Sequence, residues 1–146
     1  MKLHAIALAA LLALSGPALA DKTPAPEGAA AYFVNVADGD TVSAPVTIVF
    51  GLSGMGVAPA GTEKENTGHH HILIDRPPFG EGSEDEDYAA YGLPADDNHV
   101  HFGGGQTEVT LDLAPGTHTL QLVLGDLNHV PHDPPVMSEV ITITVE

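Results

Sequence analysis

From residue 31 onward the chain is cut into short runs of alternating or β-branched apolar residues, each closed by a Gly/Pro turn. This pattern constrains the fold more than any other feature. The runs are "AYFVNV" (31–36), "VTIVFGL" (46–52), "HHILID" (70–75), "HVHF" (99–102), "TEVTLDL" (107–113), "THTLQLVL" (117–124) and "EVITITV" (139–145). A period of two places successive side chains on opposite faces of a sheet, and β-branched residues pack well on a pleated surface. Beyond residue 20 no stretch has a helical period. Seven such runs without a helix predict an all-β chain: an antiparallel, immunoglobulin-like β-sandwich of about seven strands, with a small barrel as the alternative. Three connections are long, at 53–69, 76–98 and 125–138. Long loops on a compact domain are where binding chemistry concentrates.

Ahead of these runs lie a leader-like segment and a linker. Lys2 is followed by the apolar stretch Ala5 to Leu14 and then by Ala18-Leu19-Ala20. The stretch is short for a bilayer span, and its small-x-small ending is what signal peptidase reads. Residues 1–20 are therefore expected to be a signal peptide cleaved before Asp21, of a bacterial kind that delivers the protein to the periplasm or outside the cell. No membrane insertion is expected after cleavage. Residues 21–30, "DKTPAPEGAA", read as a flexible linker, and residues 31–146 as a single domain.

Cysteine is absent, which excludes disulfides, thiolate metal sites and a thiol nucleophile. Without the leader, three Lys and Arg stand against twenty Asp and Glu, a formal charge of −17 with His neutral. Such a surface repels nucleic acid and anionic lipid and attracts cations or basic partners.

Histidine is the residue with chemistry to offer. After His4 in the leader come His69, His70, His71, His99, His101, His118, His129 and His132. In "HVHF", Val100 and Phe102 share the face expected to meet the core, so His99 and His101 share the other, about 7 Å apart at their Cβ atoms. In "TGHHHILID", His69 and His71 share a face while His70 sides with Ile72 and Ile74. His118 shares the parity of Leu120, Leu122 and Leu124 and points inward near a sandwich end, as a backbone-bonded histidine or a ligand. His129 and His132 lie in a loop stiffened by Pro131, Pro134 and Pro135. Neutral imidazole suits zinc, copper, nickel and iron. Met55 and Met137 add thioethers, which favour Cu(I), although core filling is the plainer use of methionine.

Carboxylates and hydroxyls offer two other chemistries. The segment from Glu81 to Asp97 carries seven carboxylates, Glu81, Glu84, Asp85, Glu86, Asp87, Asp96 and Asp97. It lacks EF-hand spacing and reads as a solvated acidic loop. Ser53, Ser83 and Ser138 stand in no nucleophile motif such as GxSxG, so a binding protein is expected rather than an enzyme. If imidazoles bind the ion, affinity should fall steeply between about pH 7 and pH 5, because each must be unprotonated to bind.

The strings "GLSGMGVAPAGTEKENTGHHHILID", "HVHFGGGQTEVTLDLAPGTHTLQLVLGDLNHVPHDPPVMSE" and "ITITV" carry a resemblance. With their GHHHxLID, HFGGGQTE and GTHTLQLVLGDxNHVPH motifs, they resemble a family of small exported bacterial proteins of unknown function over roughly residues 32–146. Members of that family sometimes bear a rod-shape-determining label, which this chain's lack of membrane spans contradicts. The chain is also loosely similar to periplasmic copper-resistance β-sandwiches, which implies a small exported protein using His and Met. Those proteins often begin with a histidine; here the expected first residue is Asp21, so an amino-terminal copper brace does not carry over.

The expected function is periplasmic metal binding, delivery or buffering, with copper first and zinc second. His69, His71, His99 and His101 lead the ligand set, followed by His129, His132 and His118, then His70 and Met55. A second periplasmic protein is a candidate partner. The competing expectation is an acidic, His-rich module that binds a protein or polymer without metal.

Overall fold

The computed structural model describes residues 22–146; the expected leader and Asp21 lie outside the described residues. The chain runs β1 (Ala30–Phe33), β2 (Thr41–Val42), β3 (Val46–Ser53), β4 (Gly56–Val57), β5 (Thr67–Ile74), α1 (Asp85–Tyr91), β6 (His99–His101), β7 (Glu108–Leu111), β8 (Gly116–Gly125) and β9 (Ile141–Val145). All seven expected runs are strands. Two strands of two residues, β2 and β4, were not expected; they pair in parallel with β9 and β5, while the longer pairings are antiparallel.

The strands form a β-sandwich. One sheet has the order β1-β3-β7 and the other β2-β9-β8-β5-β4, with β6 also on β5. Alternation decides what faces inward. Val46, Ile48 and Phe50 of β3 are buried while Thr47 is exposed, and they meet Ile72 and Ile74 of β5, Leu120 and Leu122 of β8 and Ile143 of β9. Burying such a set stabilises the fold at about 25 cal/mol per Å² of apolar surface. Val100 and Phe102 join this core, as their parity predicts.

The six-stranded sheet is covered on its second face as well. There Leu73 and Val123 pack with Phe79 and Leu93, and Tyr88 and Ala89 of α1 close over them. Strand β5 is consequently buried along almost its whole length, which accounts for the continuous apolar run after its histidines.

Helix α1 overturns the expectation of a solvated acidic loop. Asp85 is 4 % exposed, and its Oδ2 accepts hydrogen bonds from the Gly80 and Gly82 amides at 2.8 Å. Asp85, Glu86 and Asp87 occupy the first turn, where the helix dipole favours negative charge. Part of the expected linker is also tied down: Ala25 N donates to Asp133 O, and Asp133 N donates to Thr23 O. Among the described residues no helix is long and apolar enough to cross a membrane.

Candidate metal centre

Strand β5 sends its histidines to both faces. His70 turns into the core, its ring 4.9 Å from that of Phe50. His69 and His71 turn to the outer face of the six-stranded sheet. The antiparallel partner β6 brings His101 opposite His71 and His99 opposite Leu73. The rings of His71 and His101 stack at 5.0 Å, and His69 lies 4.9 Å from His71 and 5.1 Å from His101. A fourth ring arrives from the loop after β8: His129 is 4.7 Å from His101, 5.0 Å from His69 and 6.0 Å from His71.

His69, His71 and His101 can each direct one ring nitrogen so that all three lie within 4.8 Å of one another. Among the described residues this is the one group of three His or carboxylate donors close enough to share an ion. A tetrahedral zinc with bonds of about 2.05 Å would set its nitrogens about 3.3 Å apart, so the three rings could hold such an ion if they drew somewhat closer.

Burial and mutual repulsion hold these rings neutral. His69 and His71 are fully buried, and neither nitrogen of either ring has a hydrogen-bond partner; His101 Nε2 is likewise unpartnered. A buried polar atom left unpaired costs about 1–3 kcal/mol, a cost that an ion bound by the three rings would relieve. Desolvation lowers the His69 pKa to about 4, helped by His129 and His101, with Asp126 opposing. His71 is pushed down to about 2 by burial and then by His69, His101 and His129. His101 is lowered by burial and His129. A metal binds the unprotonated form, so the protein pays no deprotonation cost at neutral pH.

Two glycines make the room. A Cβ on Gly103 would collide with His101 Cε1, and one on Gly125 would stand 2.8 Å from His71 Cε1. Nothing in their own positions announces this; it is visible only once the rings are placed.

The remaining candidates lie apart from the three-donor group. His99 is buried on the same face with Nε2 unpartnered; its Nδ1–H donates to Asp96 at 2.8 Å, and its ring sits 5.2 Å from Tyr88. A carboxylate in that position fixes the tautomer and leaves Nε2 as the free lone pair. His132 is buried, with Nδ1 3.5 Å from Leu124 O and Nε2 unpartnered. His118 has both nitrogens engaged, Nδ1 by Asp75 at 2.7 Å and Nε2 by Ala114 O at 2.8 Å. Those two acceptors favour the imidazolium and raise its pKa. His70 is committed to the core, where burial lowers its pKa. Met55 lies in the turn between β3 and β4, and Met137 sulfur accepts a contact from Gln121 Nε2 at 3.6 Å. Two carboxylates bear on the cluster in ways the sequence reading does not assign: Asp96, read there as part of a solvated acidic loop, bonds His99, and Asp126 closes the turn that carries His129. Asp126 Oδ1 accepts the Asn128 amide two residues on, an Asx turn, and an Asp opening the "DLNH" loop is the signal for it.

An all-nitrogen, neutral, buried set suits a borderline transition ion and gives a hard cation such as calcium no oxygen ligand. No curated protein and no solved structure matches the chain. A family described as "Domain of unknown function (DUF4399)" matches residues 48–146, a span that includes all four rings of the cluster.

Proposed function

The chain belongs to that domain family of unknown function, and from its histidine cluster we propose that it binds a divalent transition ion, copper first and zinc second, for delivery or buffering in the periplasm. The observation that carries the reading is the convergence of three unpartnered imidazoles from two paired strands, with His129 above them. Copper(II) heads the divalent affinity order for such a set, and zinc accepts the same ligands. His101 and His129 are only half-buried, which gives an ion an approach from solvent. The acidic surface favours cation approach. The leader pattern of residues 1–20 supports export, which would present the site to ions outside the cytoplasm.

The test is calorimetric titration of untagged protein at pH 7.5, with the metal content measured before and after dialysis. One equivalent of Cu(II) or Zn(II) is expected. Replacing the two half-buried rings together, His101→Ala with His129→Ala, should weaken binding at least tenfold, about 1.4 kcal/mol. Unchanged affinity in a double variant with native circular dichroism would remove the cluster from the metal.

A further inference from the structure

Three of the four clustered rings ride on strands, where pairing fixes them. His129 does not. It sits in a loop with φ of +69°, a left-handed conformation that non-glycine residues rarely hold without support. The support comes from one side chain. Asp126 is 3 % exposed, and its Oδ1 accepts the amides of Asn128 at 2.8 Å and Val130 at 3.0 Å. Its backbone closes the same turn, with His129 N donating to Asp126 O and Asp126 N donating to Val130 O. The other carboxylate oxygen, Oδ2, accepts Thr23 Oγ1–H at 2.6 Å. Thr23 is itself held against Asp133 by the two backbone hydrogen bonds of the N-terminal segment.

We infer that Asp126 is the positioning residue of the metal centre, holding His129 over His69, His71 and His101, and that the segment around Thr23 locks it in place. The inference rests on the metal-binding reading for its consequence and on the turn's hydrogen bonds for its geometry. Asp126 does not itself ligate the ion; it acts through His129. A short chain of contacts thus runs from Thr23, outside the span the family covers, to the fourth ring of the cluster.

The chemistry separates positioning from charge. Asparagine can keep the two amide hydrogen bonds through its Oδ1 while its amide donates to Thr23 Oγ1, so Asp126→Asn removes charge and preserves the turn. Asp126→Ala removes both. Titrated with Cu(II) at pH 7.5, Asp126→Ala should bind at least tenfold more weakly, and Asp126→Asn within about threefold of the parent. In a His129→Ala background, Asp126→Ala should add less than a twofold loss, because the ring it positions is gone. Thr23→Val should fall between parent and Asp126→Ala. Equal losses for Asp126→Asn and Asp126→Ala, or fully independent losses for Asp126→Ala and His129→Ala, would overturn the inference. Amide exchange on the metal-free protein reads the same claim without an ion. Asp126→Ala should speed exchange at Asn128 and Val130 at least tenfold and leave Leu122 in the core of β8 unchanged. Unaltered exchange at both loop amides would overturn the positioning role, whereas failure of the parent to bind copper or zinc would overturn the metal reading alone.

Discussion

Gly125 and Gly103 show how little space the cluster leaves. At Gly125 an added methyl would meet His71 Cε1 at 2.8 Å, His71 Nδ1 at 3.2 Å and the His129 Cα at 3.2 Å, all atoms of the proposed site. Its backbone lies outside the left-handed region, so alanine would be strained by the rings rather than by φ. Gly125→Ala should therefore lower stability by about 1–3 kcal/mol, the usual cost of overpacking, and weaken Cu(II) binding at least tenfold. Gly56→Ala is the control, since its methyl would find ordinary contact with Thr67 Cγ2 at 3.5 Å. Thermal melts and titrations of the pair check this, and an unchanged affinity for Gly125→Ala would mean that His71 lies elsewhere when the ion is bound. At this scale the sequence is readable where alternation rules. The parity of His69 with His71 and of His99 with His101 follows from a period of two and reappears in the register of β5 with β6. The contribution of His129 does not follow from any period, because a turn closed by Asp126 sets it.

The strands are legible for the same reason and the helix is not. Each of β1, β3 and β5 to β9 grows from a run whose alternation or β-branching is visible in the letters, whereas β2 and β4 are two-residue pairings created by their neighbours. Helix α1 has seven residues, fewer than two full hydrophobic periods, and Glu84 makes no side-chain cap, so neither periodicity nor a capping box marks it. Strand ends hold another device. His118, near the start of β8, joins Asp75 at the end of β5 to Ala114 ahead of β8. The Ala114 carbonyl and then Asp75 raise its pKa, so its contribution to stability is full below the unfolded value of 6.5 and is lost as pH rises through the folded value. His118→Ala should cost about 1 kcal/mol at pH 6, the worth of a modest hydrogen bond, and clearly less at pH 9. Urea melts at the two pH values test it; an equal cost at both would show that the ring acts by packing rather than by charge.

For the molecule as a whole the histidines pull the other way. His69, His70, His71 and His101 all have pKa values lowered by burial, against one raised at His118. A histidine neutral in the fold but free to charge at 6.5 when unfolded leaves the unfolded chain binding more protons, so stability rises with pH. The contribution is complete above pH 6.5 and declines below it, by up to about 1.4 kcal/mol per pH unit for each such ring. The decline continues to about pH 4 for His69 and about pH 2 for His71. Proton competition with a bound metal shifts down with it, below the pH 7 to 5 window that free histidine would give. Domains are stable by about 5–15 kcal/mol, and two buried rings can remove a large part of that between pH 6.5 and 5. An ion at a hundred times its Kd restores about 2.7 kcal/mol. The metal-free protein should thus lose Tm steadily from pH 7 to pH 5, and added Cu(II) or Zn(II) should raise Tm at both. Replacing His69 and His71 together with asparagine should flatten the slope. A Tm that holds constant or rises between pH 7 and pH 5 in the parent would mean that these rings have partners that accept their protonated form, and would count against a neutral, metal-ready cluster.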